Sequence, residues 1–350
     1  MPSTRDRTVS LLGRPRVCGG IGVAVLATAA GAPLLGAEVT VYKAGLVLIF
    51  LVGALGQQVL VSWAGQLSLA HAEMIGLPAF VVLGVSSTQH VSPLYLMPLG
   101  IVVGAGAGAV IALPTLRAQG VQVAIITLAA GIAIDSYLFN QSWLVGGVGG
   151  RQSPLPTLGP ITFTDSRSLY PLLLAVVAAC AVVTWVLMHS KVARAWYAIR
   201  ADPAAASASG VPVVGYRMLA YAVAGAYAGL AGSLTVMWVQ RLTASTFPTT
   251  LSFTYLLVAV VAGAGYLGGI AVAVAALEGG SLFASGAGAV TAYAGPVALI
   301  LIITRYQQGL NGAGRNMMDG LRDRLAQRDH PGGPDQPAPV PSASLAPGGS

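Results

Sequence analysis

The sequence predicts an all-α fold: a polytopic integral membrane bundle of about ten transmembrane helices, within a range of eight to ten, with both termini cytoplasmic. Three observations carry that expectation. Charged residues make up only 8% of the 350 residues and hydrophobic ones 55%, with a mean hydropathy of +0.76, whereas a soluble domain carries about 25% charged residues. Apolar runs recur at close to the ~20 residues that a helix needs to cross a bilayer. Lysine and arginine collect at the ends of those runs. The net charge of +7 therefore reads as a topology signal, and no nucleic-acid partner is expected, because the basic residues form no patch with interleaved aromatics. Cys18 and Cys180 sit at or within apolar runs, in a context that suggests neither a disulfide nor a metal site.

Residues 1–16 are polar, with Arg5, Arg7, Arg14 and Arg16, and read as a cytoplasmic N-terminal segment. The apolar run from Val17 to Leu35 is either a cleaved signal peptide or a retained first helix, and its near-span length favours the helix. The membrane domain is expected over 17–305. Further runs extend from Val39 to Leu60, Leu67 to Val85, Leu94 to Leu113, Val121 to Phe139, Tyr170 to His189, Tyr216 to Trp238 and Phe247 to Ala264. Two short ones follow, Ile270 to Ala284 and Thr291 to Thr304. The third, ninth and tenth are open to being re-entrant. The fourth run contains Gly100, Gly104, Gly106 and Gly108, and small residues four apart let helix backbones approach closely. Residues 306–350 form a cytoplasmic tail, basic and soluble to Arg328 and Pro/Gly/Ser/Ala-rich over 331–350, where it is expected to be disordered.

Ten spans place both termini and the interval from Lys191 to Tyr216 on one side. That side carries the N-terminal arginines, Arg117, the four basic residues Lys191, Arg194, Arg200 and Arg217, and the arginines of the tail. The other side holds only Lys43, Arg151, Arg167 and Arg241. The excess of positive charge assigns the first side to the cytoplasm.

Within the interval 190–215, Ala204 to Ala208 favours helix, Asp202-Pro203 is a start signal, and Gly210 followed by Pro212 is a stop. The reading is a helix of roughly two turns outside the bilayer. On composition alone it is equally a loop wetted by headgroups. A second polar interruption holds Gly65, Gln66, Ser68 and His71. Unpaired polar groups are costly in lipid, so these residues either line a water-filled path or hold helices together. Asp135, near the end of its run, is expected to reach the interface, and His71 and Glu73 to point to different helix faces. Glu278 is open between packing and path lining. The hydrophilic connection from Asn140 to Ser168 shows no helical pattern and reads as functional or mobile.

Several stretches resemble one family. Arg194-Ala195-Trp196-Tyr197-Ala198-Ile199-Arg200-Ala201-Asp202, then Ala205-Ala206 and Gly210-Val211, resembles the R-A-x-x-A-I-R-x-D-x-x-A-A-x-x-x-G-I loop of ABC importer permeases. The nearest likeness is the M-type permease subunit of branched-chain amino-acid importers. Gly65-Gln66-Leu67-Ser68-Leu69-Ala70-His71-Ala72 resembles that family's G-Q-L-S-L-G-H-A, with Ala70 in place of a glycine. Ala124 to Leu128 and Ala228 to Gly232 resemble its A-I-V-T-L and A-G-L-A-G. The likeness spans roughly 40–310. It implies a coupling helix that sits in a groove of a cytoplasmic ATPase, carried by Arg194, Arg200, Asp202, Ala205, Ala206 and Gly210. Pro203 and Ser207 stand where acidic residues are common in the family. It further implies a translocation path touched by Gly65, Gln66, Ser68, His71 and Thr127. Gly146, Gly147 and Gly149 would belong to a loop that docks a binding protein. The partners implied are two ATP-binding subunits, an H-type sister permease and an extracytoplasmic substrate-binding protein. ATP would be bound by the partner subunits, with no cofactor or metal on this chain. The location implied is the plasma or inner membrane, and the substrate a branched-chain or other small amino acid; some relatives carry urea or amides.

The sequence contains no Gly-Lys dipeptide and so no P-loop, nor does it contain H-E-x-x-H or G-x-S-x-G. A non-catalytic permease subunit is the reading that the coupling interval favours. A secondary transporter or channel would need intramembrane ions or a filter, and an intramembrane enzyme a catalytic pair. Asp135, His71, Glu73 and Glu278 are the only candidates for either, and they are scattered.

Overall fold

A computed structural model describes residues 37–279 apart from 119, 148 and 264–266. All of these fall in the compact unit Met1–Gly312; the second unit, Ala313–Ser350, lies outside the described residues. Among the described residues, seven helices are long and apolar enough to cross a membrane. The first is α1, Glu38–Gln58, which continues through a π turn over Val59–Trp63. Then follow α2 (His71–Gln89), α3 (Met97–Thr115) and α4 (Val121–Ala133 with a π turn Ile134–Leu138). After the short α5 (Ser142–Val145) come α6 (Ser166–His189), α7 (Lys191–Ala201), α8 (Pro203–Ala208) and α9 (Val213–Val239). The seventh span is α10, Thr249–Ala262, entered through a 3-10 turn Ala244–Thr246. These seven occupy the second to eighth of the apolar runs. Helix α11, Leu267–Val274, begins the ninth and a π turn, Ala275–Gly279, continues it; residues 1–36 and 280–350, with the first run, the end of the ninth, the tenth and the tail, lie outside the described residues.

The sequence expectation needs correction in two places. The third span begins at His71, not Leu67, because α1 ends in the π turn and Gly65 takes φ +67, which turns the chain out of helical geometry. The connection 140–168 is structured. It contains α5, a β1 strand (Arg151–Gln152), and a hairpin of β2 (Thr157–Leu158) and β3 (Ile161–Thr162) that turns at Gly159, φ +59. Strand β1 pairs antiparallel with β4 (Arg241–Leu242), just beyond α9, in the register Arg151↔Leu242.

Helix α9 is the central element, packed on α3, α2 and α1. Its contact with α3 is made of backbone: Gly100, Gly104 and Gly108 lie against Gly225, Gly229 and the Tyr221 carbonyl. A Cβ built on Gly104 would stand 2.7 Å from Gly229 Cα, so no other residue fits without separating the helices. Around this seam the core fills with large side chains. Phe80 meets Phe139 and Phe247 edge-on, with ring centroids 5.0 Å and 5.8 Å apart, an arrangement that aromatic quadrupoles favour. Val102, Val110, Ile125, Ile132, Val182 and Val186 remain exposed on α3, α4 and α6, the apolar outer surface that a lipid-embedded bundle presents.

The two ends of the bundle are distinct. At one end the last residues of α1, the α3–α4 turn, α7 and the exit of α10 come together: Gln58 Nε2 donates to the Gly263 carbonyl at 3.3 Å and Arg217 Nη1 to that of Ala118 at 3.5 Å. At the other, Ser92 exchanges hydrogen bonds with the Thr157 backbone and the Tyr95 hydroxyl accepts from Gly159 N at 2.8 Å. The starts of α1 and α6 and the end of α9 line one cavity of about 270 Å³ there. Arg117, Lys191, Arg194, Arg200 and Arg217 thus share one end, and Lys43, Arg151, Arg167 and Arg241 the other, the partition expected from counting spans.

Candidate functional site

Where the sequence predicts a single helix of about two turns after α6, the structure has two helices. Helix α7 exists because Ala193, Trp196 and Ile199 recur at helical spacing and are buried, while Lys191, Arg194 and Arg200 remain exposed. Ser190 caps it by accepting from Ala193 N at 3.3 Å. Trp196 is fully buried and its indole N–H donates to the Tyr216 carbonyl at 2.8 Å, which fixes α7 to the entry of α9. Asp202 ends α7 and starts α8. Its carboxylate accepts from Ala204 N at 2.8 Å and Ala205 N at 3.2 Å. Pro203 takes the first helical position, where its missing N–H costs nothing. Gly210, at φ +85, closes the helix with Val211 N bonded to the Ala206 carbonyl at 3.1 Å. Ala204, Ala205, Ser207 and Ala208 are exposed and form a surface of small side chains, whereas Ala206 is buried within the chain. Arg194 lies on the exposed side and donates to the His189 carbonyl at 3.3 Å.

Arg200, although exposed, also reaches back onto its own chain. Its Nη1 donates to the Ser62 carbonyl in the π turn. Its stem crosses Gly65 so closely that a Cβ there would stand 2.8 Å from Arg200 Cγ. Beside it, the Trp63 ring lies 6.4 Å from that of Trp196 and 6.5 Å from that of Tyr197.

The segment 64–70, between α1 and α2, is held by polar contacts from three spans. Gln57 Nε2 donates to the Ser68 carbonyl at 2.8 Å, and Leu69 N donates to Thr127 Oγ1 of α4 at 3.0 Å. His71 Nε2 donates to the Gly53 carbonyl at 2.8 Å, with the ring edge-on to Tyr255. Ala72 N donates to Ser252 Oγ of α10 at 2.8 Å. Ser68, His71 and Thr127 are fully buried, Gln66 is buried, and Gly65 is exposed. The structure therefore brings Ser68, His71 and Thr127 around one segment, with Gly65 and Gln66 at its α7 end. Among the described residues, buried side-chain atoms without a hydrogen-bond partner concentrate here: Gln57 Oε1, Trp63 Nε1, Gln66 Oε1, Ser68 Oγ, His71 Nδ1 and Glu73 Oε1. Such groups are costly inside a membrane unless water or a polar solute reaches them.

Sequence reasoning missed a neighbouring polar ladder. Glu73 Oε2 accepts from Ser252 Oγ at 3.1 Å, and its carboxyl group lies against Gly131, where a Cβ would approach to 3.1 Å. One turn along, Asp135 Oδ2 accepts from Thr249 Oγ1 at 3.1 Å. Asp135 is thus half-buried and tied to the start of α10. His71 and Glu73 do face different partners, α1 for the first and α4 and α10 for the second. Thr249 and Ser252, three apart on one helix face, were the available signal. Glu278 falls, half-buried, in the π turn Ala275–Gly279.

In the loop between α4 and α6, Gly146 and Gly147 take φ +91 and +84. A Cβ would meet nothing within 4 Å at Gly147 or Gly149, whereas at Gly146 it would meet Arg151 Cβ at 3.1 Å. Arg241 Nη1 donates to the Gly149 carbonyl at 3.2 Å. No group of three or more His, Cys, Asp or Glu that could hold a metal ion occurs among the described residues.

Comparison with known proteins bears on this arrangement. Residues 39–304 match the family model described as branched-chain amino acid transport system / permease component. The chain is 27% identical over 236 residues to the high-affinity branched-chain amino acid transport system permease protein LivM of Salmonella typhimurium, and 28% identical over the same length to LivM of Escherichia coli. Each match covers 61% of this chain and 56% of the relative, so the chain spans little more than half the length of these proteins. No solved structure matches it. With the family model extending over the described membrane helices, the chain belongs to the permease-component family of branched-chain amino acid transport systems.

Proposed function

We infer that this chain is the membrane-spanning permease subunit of an ABC importer, forming the path for branched-chain or related small amino acids while separate ATPase subunits supply the energy. The observation that carries this reading is the α7–α8 pair. It is a capped double helix with a surface of small side chains, outside the seven spans, and it is fixed to α9 through Trp196. A partner seated on Arg194, Asp202 and Ala205 would move the bundle by moving this pair, with Gly210 setting the return into α9. The end that carries α7 and α8 faces the cytoplasm in a ten-span arrangement with both termini on that side, in keeping with the excess of basic residues there. The location is then the plasma or inner membrane.

Gly65, Gln66, Ser68, His71 and Thr127 belong to the translocation path in this reading, where unpartnered buried groups would be met by water or by a polar solute. The loop holding Gly146, Gly147 and Gly149 is the outer docking surface for a substrate-binding protein. Two ATP-binding subunits and an H-type sister permease complete the assembly. ATP is held by those subunits, and this chain carries no cofactor and does no catalysis itself.

The test is Ala205→Glu in the assembled complex reconstituted in vesicles. Ala205 is exposed, so the change leaves the chain's own packing intact. It should keep the permease in the membrane while lowering uptake and ligand-stimulated ATP hydrolysis together. Full stimulation would mean that α8 is a wetted connection.

A further inference from the structure

The family likeness puts Arg200 on the surface presented to the ATPase; the residue is exposed there, and its guanidinium also reaches back to its own chain. The π turn that ends α1 displaces its hydrogen bonds: Ala64 N reaches the Val59 carbonyl and Gln66 N the Leu60 carbonyl, while the Ser62 carbonyl takes the Arg200 guanidinium. The same side chain packs across Gly65, whose φ of +67 and missing Cβ are both required for the crossing. Trp63, between Ser62 and Gly65, meets Trp196 and Tyr197 of α7. Helix α7 therefore grips the end of α1 at two adjacent points. Beyond Gly65 the chain is held by Gln57, Thr127 and Ser252, one from each of α1, α4 and α10. Arg200 is thus a direct link from α7 to the start of this segment.

We propose that Arg200 is a positioning residue of transport: it clamps the ATPase-facing helices to the 64–70 segment, so that the segment moves with α7 and the path opens and closes in step with ATP. This rests on the importer reading and assigns the coupling to one contact within the permease itself. Arg200 suits the role because a planar guanidinium can bond a carbonyl while its stem lies flat on a glycine.

The experiment uses the complete complex in vesicles with loaded binding protein outside, measuring uptake and ATP hydrolysis together. Arg200→Gln should co-purify with the ATPase subunits at the wild-type ratio while uptake per ATP falls about tenfold, the size of effect that losing one coupling contact produces. Arg200→Lys, which still reaches the carbonyl, should recover most of the loss. Unchanged uptake per ATP overturns the clamp. So does loss of co-purification, which would make Arg200 a docking residue for the ATPase. A second measurement leaves Arg200 in place: with Cys18 and Cys180 replaced, a Leu67→Cys chain should be alkylated at a rate that changes when ATP binds, and a constant rate overturns the proposal. A wild-type complex whose hydrolysis ignores the loaded binding protein would instead sink the importer reading, so the two failures are distinguishable.

Discussion

Replacing Gly104 by alanine puts one methyl group into the closest helix crossing of the bundle. The new Cβ would lie 2.7 Å from Gly229 Cα and 2.8 Å from Gly229 N, and closer still to the Gly225 carbonyl, where ordinary contact begins at 3.4 Å. Helix α3 must therefore withdraw by about 0.7–1 Å, and a gap of that size forfeits roughly a quarter to a half of each contact's ~0.1–0.2 kcal/mol. Over some tens of atom pairs along the seam this comes to about 1–3 kcal/mol, the usual cost of overpacking. Gly106 is the control. It lies on the same helix, and a Cβ there meets nothing within 4 Å. Gly106→Ala should be neutral or slightly stabilising, since Ala is the better helix former by up to about 1 kcal/mol. The assay is thermal unfolding of the purified chain in detergent. At about 2–4 °C per kcal/mol for a protein of this size, Gly104→Ala should melt about 2–12 °C below Gly106→Ala. Equal melting temperatures would refute the close-packed seam.

Three further outcomes are expected. Ser252→Ala leaves Ala72 N and one oxygen of Glu73 without their partner. It should cost about 1–3 kcal/mol in the same melting assay, with no loss if the bridge is absent. Gly210→Val should lower ligand-stimulated ATP hydrolysis through backbone strain of about 1–3 kcal/mol. A Cβ at Gly210 meets nothing within 4 Å, so Gly210→Asn, which tolerates positive φ, should be much milder, and equal losses would point to a contact with another subunit. In a chain lacking Cys18 and Cys180, Ile161→Cys should react with an impermeant thiol reagent from outside and Ser207→Cys only after the membrane is opened; the reverse pattern would invert the topology.

The spans were legible because lipid imposes a long uniform apolar run that few other environments demand, and the limits of α1, α3, α4, α6 and α9 fell within a few residues of those runs. The caps were legible for the same local reason: Asp202-Pro203 and Gly210 act on their nearest neighbours. The extent of α7 was not, because a helix with exposed arginines and a single buried Trp196 reads as a polar loop until its tertiary partner Tyr216 is known. The Glu73–Ser252 and Arg200–Ser62 contacts join residues 179 and 138 positions apart. Neither carries a local pattern that one sequence reveals. The start of α2 was misplaced because Leu67, Leu69 and Ala70 join the apolar run despite Ser68 between them, and only the π turn and the left-handed Gly65 show that the chain leaves helical geometry there.

Helix α9 runs from the Tyr216 carbonyl held by Trp196 to the β4 strand paired with β1. It has 27 residues. At the rise of an α-helix that makes a rod about 40 Å long. Because α3 is joined to it through bare backbone, the two form a single stiff beam with little side-chain cushion to absorb motion. Pivoted near one end, such a beam would turn a tilt of about 5° into a displacement of about 3–4 Å at the other, a simple consequence of its length. The loop between α4 and α6 is stapled to that far end through the paired β1 and β4 strands. Leverage on α7 and α8 would thus be delivered, undiminished and by geometry alone, to the surface at the opposite end of the bundle.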